Sequence, residues 1–155
     1  MQARDISRWF GLLERQSQGY ISFRLRESGL AYSEYVLLLH LYENEGVSQD
    51  EMAALLMVDK AAVARTSRCL EERGLLEKRQ CKLDKRKKHL YCTAQAKEKK
   101  AFFLQILTEW IGFLCGGMDA AAADLFLQAF RQLAQRAKEA DFAEIAAEGS
   151  GLACE

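Results

Sequence analysis

The residues of this chain that could do chemistry are mostly basic, and they are concentrated in one segment. Residues 60–100 contain 14 Lys and Arg against five Asp and Glu, whereas the 155-residue chain as a whole has no net charge. Acidic ends around one basic segment provide a single face suited to a polyanion such as a nucleic acid. A charged hairpin that is simply solvated is the alternative, and charge alone does not decide between the two.

The densest cluster of cations lies on a predicted β-hairpin. Residues 75–82 and 87–93 have the pattern of two strands around a turn at 83–86. Cations this close repel one another, so we expect an anionic partner to neutralise them. We predict that Arg86 reaches a DNA minor groove and that Asp84 braces an arginine by an ion pair. The candidate DNA contacts of this hairpin are Lys82, Asp84, Lys85, Arg86, Lys87 and Lys88, next to Lys78 and Arg79 on its first strand.

The helix before the hairpin has the pattern of an element that reads DNA. Its exposed side is predicted to carry Lys60, Ala61, Ala64, Arg65 and Arg68. Small side chains let the helix approach the floor of the major groove, and Arg65 is placed for a bidentate contact to guanine. Lys60, Arg68 and also Ser48 are candidates for phosphate contacts. A solvated helix face with incidental arginines is the alternative.

Capping residues define the helix pair to which this element belongs. Ser48 and Glu51 have the spacing of a capping box, and Asp59 is a second N-cap candidate shortly after it. The helix that follows Asp59 is predicted to end at Gly74. Two amphipathic helices with so short a connection are typical of a helix-turn-helix.

Longer helices are predicted on both sides of this pair. One covers residues 5–27 and ends before Gly29, and the next, capped by Ser33, covers residues 33–44. After the hairpin, Thr93 is expected to cap a helix that runs to about residue 114. Asp119 is expected to cap the last helix, which follows a break at two glycines.

The predicted fold is therefore mainly α with a small β-wing. Residues 31–93 are expected to form a winged helix-turn-helix lobe that binds DNA. Residues 1–30 and 94–147 are expected to form a helical dimerisation region, and residues 148–155 a disordered tail.

Composition and motifs argue against several other classes. Only His40 and His89 are available as histidines, and no Gly-rich phosphate loop or nucleophile elbow occurs, so we predict that the chain is not an enzyme. Cys81, His89 and Cys92 match no common zinc spacing, and we expect neither a metal nor a cofactor. No stretch approaches the ~20 apolar residues of a membrane span, and no secretion signal is recognised, which favours a cytoplasmic protein.

Three motifs follow one another at a specific spacing. Val58-Asp59 precedes the reading helix, the run from Leu70 to Leu75 reads Leu-Glu-Glu-Arg-Gly-Leu, and Asp84-Lys85-Arg86 stands in the turn. In these motifs, and over residues 5–140, the chain resembles the MarR family of bacterial winged helix-turn-helix transcriptional regulators. Two positions depart from the family pattern, since Ala64 stands where Thr is usual and Ala96 where Gly is usual.

The resemblance implies a homodimer, joined through its first and last helices, that binds a pseudo-palindromic double-stranded DNA site as a repressor. Aromatic residues on more than one face of the helix at 101–114 agree with a dimer, although an internal core is the alternative. The resemblance also implies release by a small aromatic or phenolic effector, bound where the dimer helices meet the winged lobe. The residues predicted for this pocket are Trp9, Leu13, Arg15, Tyr20 and His40.

Two other functions stay open at this point. The winged lobe could dock a protein rather than DNA, which predicts little dependence of binding on salt. Oxidation of Cys69, Cys81 or Cys92 could release DNA in a thiol-based regulator, with buried and inert thiols as the alternative. The expected location of the regulator is the bacterial cytoplasm, in association with the nucleoid.

Overall fold

The expected mainly helical fold with a small β-wing is confirmed. The computed structural model describes residues 3–80 and 88–151. The helices among them are α1 (Ala3–Arg24), α2 (Tyr32–Glu43), α3 (Gln49–Leu56), α4 (Lys60–Glu72), α5 (Ala94–Cys115), α6 (Ala120–Lys138) and α7 (Phe142–Gly151). The strands are β1 (Leu76–Gln80) and β2 (Lys88–Cys92), and a short 3-10 turn, Arg26–Ser28, links α1 to α2.

The chain forms two compact units that divide near the end of α5, between Gly112 and Phe113. The first unit has one apolar core, to which α2 contributes the most side chains because it is buried on several faces. Tyr35 of α2 lies edge-on to Phe103 of α5, with 5.8 Å between ring centroids. Its hydroxyl donates to the Phe103 carbonyl at 2.9 Å, so this core contact is also satisfied as a hydrogen bond.

Most of the helices begin with a capping side chain at the position that the sequence predicts. Ser48 and Glu51 form the expected capping box, and Asp59 accepts the N–H of Ala62 at 2.7 Å. Thr93 accepts the N–H of Ala96 at 3.2 Å at the start of α5. Each capping side chain accepts a hydrogen bond from a residue three positions further along the chain. Because this contact is local, the sequence alone predicts where these helices begin.

The predicted cap of α2 was wrong. The helix begins at Tyr32, so Ser33 lies inside its first turn and Ala31 is the N-cap residue. Glu34 replaces a capping hydroxyl, because its carboxylate accepts the N–H of Ala31 at 2.6 Å. Helix α1 ends at Arg24 rather than at residue 27, and Gly29, in the left-handed conformation at φ 64°, instead caps the 3-10 turn Arg26–Ser28.

The two strands form an antiparallel hairpin in which Leu76 is opposite Cys92 and Lys78 is opposite Leu90. The far edge of β2 is also occupied. The N–H of Gly46 donates to the Leu90 carbonyl, and the N–H of Leu90 donates to the Val47 carbonyl, both at 2.8 Å. The connection between α2 and α3 is therefore hydrogen-bonded to the wing. The turn predicted at 83–86 lies outside the described residues.

The second unit consists of α6, α7 and the segments beside them. Asp119 accepts the N–H of Ala122 at 2.8 Å and caps α6, as predicted. Helix α7 was not predicted, and it extends to Gly151, so the tail expected at 148–155 begins inside a helix. Residues 152–155 lie outside the described part. The dimerisation role predicted for residues 1–30 and 94–147 and the DNA-binding role predicted for residues 31–93 stay predictions.

No single helix of the described chain is long and apolar enough to cross a membrane. Helices α5 and α6 reach the length and apolar composition of a membrane span only when they are counted together, across the break that separates them.

Candidate nucleic-acid interface

Helix α4 has one buried and one exposed face, in the phase expected from the sequence. Val63, Ser67 and Leu70 are buried against the core of the first unit. The exposed side chains are Lys60, Ala61, Ala64, Arg65 and Arg68. Since the two sets recur at three- and four-residue steps, packing of the apolar face fixes which cations point outward.

The cations of α4 differ in their partners. Lys60 Nζ lies 3.0 Å from Asp50 Oδ2, and Arg68 Nε lies 2.9 Å from Glu72 Oε1. Both pairs are largely exposed, so each contributes at most about 1 kcal/mol and is easily exchanged for a phosphate. Arg65 makes no ion pair within the described part of the chain.

Arg65, whose guanidinium has no ion-pair partner among the described residues, stands next to small residues on the exposed face of α4. Ala61 and Ala64 precede Arg65 on the exposed face, and each projects only a methyl group. A helix of this shape can lie close to base edges while a long arginine reaches them. Arg65 is thus the described side chain of α4 with both the charge and the freedom for direct readout.

Ser48 stands where α3 meets the wing. Its hydroxyl accepts the N–H of Glu51 at 3.2 Å, and the Glu51 carboxylate accepts the N–H of Ser48 at 2.6 Å. The backbone of Ser48 is also bridged to that of His89 in β2. Because a hydroxyl accepts and donates at once, the Ser48 proton can still be given to a phosphate oxygen.

On the wing, the structure places only part of the predicted basic cluster. Lys88 is exposed at the start of β2. Lys82, Asp84, Lys85, Arg86 and Lys87 lie outside the described residues, so their predicted contacts stay predictions.

Two cations of β1 have local partners that the sequence did not indicate. Lys78 Nζ lies 2.9 Å from Glu71 Oε2 and is mostly buried, so this pair fixes the wing to the end of α4. Arg79 hydrogen-bonds Glu77, which raises its pKa, and its guanidinium lies 4.4 Å from the ring centroid of Tyr91. Arg79 is therefore held on the wing surface by an acid and an aromatic face.

The five residues predicted for an effector pocket are not brought together within one chain. Trp9, Leu13 and Arg15 are exposed on α1. Trp9 and Tyr20 are eleven positions apart on that helix, which is about 16 Å. His40 lies on α2, where its Nδ1 is 3.0 Å from the Val36 carbonyl oxygen.

Tyr20, which was predicted to contact an effector, contacts residues of α5 in the structure. Its ring stacks on Trp110 of α5 with 5.1 Å between centroids, and its hydroxyl donates to Glu109 at 2.8 Å. Arg24 of α1 makes an ion pair with the same Glu109. Trp110 Nε1 donates to Ser17 at 2.8 Å. This set of contacts joins α1 to α5, and its partners are more than 80 residues apart in the chain.

Two of the thiols considered for redox sensing are described, and their environments differ. Cys92 is buried in β2, and burial raises its pKa to about 11, with a smaller contribution from Glu45. Cys69 is exposed on α4. Buried, inert thiols were the alternative to redox sensing, and this description fits Cys92 but not Cys69. Cys81 lies outside the described residues.

Groups of three or more His, Cys, Asp or Glu that could hold a metal do not occur in the described ranges. The structure gives no support to a zinc site that includes His89 and Cys92, because the His89 ring is hydrogen-bonded to the Gly46 carbonyl.

A helix pair with a cation-bearing second helix, followed by a basic two-stranded hairpin, defines a winged helix-turn-helix protein. The family model described as MarR family matches residues 30–88, which cover this lobe from α2 to the start of β2. The resemblance to the MarR family that the sequence analysis stated is confirmed over this lobe. Members of this family are transcription regulators and not enzymes.

A curated relative is the uncharacterized HTH-type transcriptional regulator YybA of Bacillus subtilis (strain 168). It is 29% identical over 94 residues, which are 61% of this chain and 63% of the relative. The match thus spans a little less than two thirds of that protein.

Solved structures extend the similarity over most of the chain. A crystal structure of MarR is 27% identical, with a TM-score of 0.76, and the match covers 87% of this chain and 98% of that one. A MarR family regulator from Listeria monocytogenes, complexed with a 26mer DNA, is 22% identical with a TM-score of 0.80, and the match covers 90% of each chain. A mutant MarR from E. coli, complexed with operator DNA, is 15% identical with a TM-score of 0.73, covering 83% of this chain and 93% of that one. The latter two similarities show the shared fold.

Proposed function

We propose that this protein is a transcriptional repressor that binds a specific double-stranded DNA site as a homodimer. The observation that carries the proposal is the exposed face of α4, on which Arg65 stands without an ion-pair partner among the described residues, next to Ala61 and Ala64. A free guanidinium beside small residues is suited to the O6 and N7 atoms of guanine in the major groove. Two structural relatives were solved as complexes with DNA, which supports the same use of this fold.

The wing is proposed to contact DNA beside the reading helix. The ion pair of Lys78 with Glu71 ties β1 to the end of α4, so both elements present their cations from one rigid lobe. Arg86 would enter the minor groove, where the potential is most negative, and Lys82, Lys85, Lys87 and Lys88 would contact phosphates. Asp84 would orient an arginine of the turn.

Apolar surface supports the homodimer. No residue of α6 is buried, and its large apolar side chains recur on one side of the helix at Leu125, Phe126, Phe130 and Leu133. Trp9, Phe10 and Leu13 are exposed in the same way on α1. A monomeric chain rarely leaves this much apolar surface in water, and a second copy would cover it. A twofold dimer places its reading helices about 34 Å apart, which requires a pseudo-palindromic site.

Release by a small aromatic or phenolic effector is part of the proposal. Trp9, Leu13 and Arg15 supply an aromatic ring, an apolar side chain and a cation on the exposed surface of α1. Tyr20 and His40 already have partners, so an effector would have to compete with those contacts. The regulator is proposed to act on the nucleoid in the bacterial cytoplasm.

Selection of bound duplexes from a random pool, with thiols reduced and no effector added, tests the proposal. A palindromic consensus is expected, followed by retarded complexes of dimer size in gel-shift titrations. Arg65→Ala is expected to lower the preference for the consensus over random DNA by ~10- to ~100-fold. Arg4→Ala is the matched control, because Arg4 is an exposed arginine of α1 and its loss changes the charge equally.

Arg86→Ala has a different expected effect. It should weaken binding to all duplexes alike and reduce the slope of log K against log salt by about 0.9 for each phosphate that the variant no longer neutralises. Binding that does not depend on salt, or no retention of any duplex in dilute buffer, would favour a protein-interaction module instead.

A further inference from the structure

Lys60 has an unusual position for a cation, because it is the first residue of α4. The positive end of the helix macrodipole lies at the N-terminus, where acids stabilise a helix and a cation costs about 0.3 to 1 kcal/mol. Asp59 occupies the N-cap, and the first turn of α4 itself contains no acid. The stability of α4 therefore does not account for a lysine at this position.

An acid of the neighbouring helix holds the Lys60 ammonium in place. Lys60 Nζ lies 3.0 Å from Oδ2 of Asp50, which stands in the first turn of α3, so the pair joins the two helices of the helix-turn-helix. The side chains are 73% and 67% exposed, and such a pair stabilises a fold by less than about 1 kcal/mol. Its main consequence is thus the place at which the ammonium is held, on the surface and open to a ligand.

The start of α4 is the part of the helix that would reach base edges. In helix-turn-helix complexes, the N-terminal residues of the recognition helix contact the bases. Lys60 and Arg65 are five residues apart, about 7.5 Å along the axis, which corresponds to roughly two base-pair steps of ~3.4 Å. Each of the two cations can therefore meet a different base pair.

Lys60 keeps donors for DNA while it is paired with Asp50. An ammonium has three N–H groups, so two remain when one is directed at the carboxylate. Guanine offers its O6 and N7 acceptors to such donors in the major groove. A lysine on a flexible stem finds a phosphate oxygen from many conformations, whereas contact with one base edge requires the donor at a defined place. The pair with Asp50 supplies that place.

Arg68 differs from Lys60 in this respect. Its acid, Glu72, belongs to the same helix, so their pair does not relate α4 to another element. Arg68 also lies about 12 Å further along the axis of α4, away from the end that would reach the bases. A phosphate contact therefore suits Arg68 better than a base contact.

We propose that Lys60 donates to a guanine in the major groove and that Asp50 is the positioning residue that directs its ammonium to that base. The sequence indicated a phosphate contact for Lys60, and the pair across the two helices is the observation that assigns it to a base instead. The inference rests on the proposed function and deepens it, because it names a second residue that selects the DNA sequence and the acid on which this selection depends.

Selection of bound duplexes from a random pool, compared base pair by base pair, tests both roles. The wild type is expected to select a guanine in each half-site that Lys60→Gln no longer prefers, with a loss of at least ~10-fold at that base pair only. Asp50→Ala is expected to weaken the preference for the same guanine by ~3-fold, because the ammonium is no longer held. Arg65→Ala should lower the preference at a different base pair.

Asp5→Ala is the matched control, because Asp5 pairs with Arg8 on α1 at 3.8 Å and its loss changes the charge equally. It should leave the selected sequence unchanged. An unchanged consensus in Lys60→Gln, with weaker binding to every duplex, would make Lys60 a phosphate contact and overturn the assignment. An unchanged consensus in Asp50→Ala, or a loss at another base pair than in Lys60→Gln, would overturn the positioning role. A wild type that selects no sequence would contradict the proposed function itself, and this assignment with it.

Discussion

The Nε of Arg73 donates to the buried carboxylate of Glu34 at 3.0 Å, and this contact joins the end of α4 to the first turn of α2. The other carboxylate oxygen of Glu34 accepts the N–H of Ala31 at 2.6 Å. One acid thus begins α2 and also anchors the residue that follows the reading helix. The pose of α4 depends on this pair as well as on its apolar face.

Glu34→Ala is expected to lower the free energy of unfolding by about 2 kcal/mol. The substitution removes the cap of α2 and leaves Arg73 without its acid, while the 43% exposure of the Arg73 side chain limits the loss. Glu72→Ala, which breaks the exposed pair with Arg68, should cost less than about 1 kcal/mol. Urea unfolding followed by circular dichroism at one protein concentration measures both, and equal losses would contradict the anchoring role.

Ser67→Ala is expected to stabilise the protein by about 1 kcal/mol. The Ser67 hydroxyl is buried on the inner face of α4 and has no hydrogen-bond partner in the described structure. A buried hydroxyl without a partner is unfavourable, and alanine removes it with little change in volume. Ser33→Ala, at an exposed site in α2, should change stability by no more than about 0.5 kcal/mol. The prediction fails if the melting temperature of Ser67→Ala falls below that of the wild type.

The thiols are expected to differ in reactivity toward iodoacetamide at pH 7.5. Cys92 is buried with a pKa raised to about 11, so only a small fraction of it is thiolate. Cys69 is exposed on α4 and should be alkylated at least ~100-fold faster than Cys92. Peptide mass spectrometry over time measures both rates, and in urea they should converge. Equal rates in the folded protein would show that Cys92 is not shielded.

Glu45 is expected to make stability depend on pH on the acid side. Burial alone would raise its pKa, but hydrogen bonds from Lys97 and the Cys92 N–H outweigh burial and hold the pKa below 4.5. A carboxyl with a depressed folded-state pKa stabilises above its unfolded pKa, and this contribution is lost as the pH falls through the folded value.

The advantage of the wild type over Glu45→Gln should therefore be constant above about pH 5 and shrink below pH 4.5. Glu98→Gln on α5 is the matched control and should change stability by no more than about 0.5 kcal/mol at neutral pH. Thermal melts at a series of pH values provide the measurement. A difference that grows on acidification would reverse the sign and refute the role of Glu45.

Local signals explain what was predictable. Caps such as Asp59 act within three residues, and the buried face of α4 repeats with the helical period, so the exposure of Arg65 followed from the sequence. The pair of Arg68 with Glu72 has helical i,i+4 spacing and could have been read as well. Helix α7 was missed because its glycines at 149 and 151 resemble a frayed tail.

Contacts between distant residues explain the rest. Glu34 and Arg73 are 39 positions apart, and no local pattern relates them. No local pattern relates Tyr20 to Trp110 either. The stacking of these two rings gives Tyr20 a structural role in joining α1 to α5. Single residues can be assigned to faces from periodicity, whereas partners across the core depend on how the helices cross.

The backbone pairing of Gly46–Ser48 with β2 also bears on how the protein behaves when concentrated. An exposed strand edge is a template for adding another strand, and a protruding ribbon has two such edges. Here β2 is flanked by β1 on one side and by the α2–α3 connection on the other. On β1 the side chain of Arg79 is exposed, and its charge opposes edge-to-edge joining of molecules. The ribbon can therefore project toward a ligand without seeding strand-by-strand polymerisation.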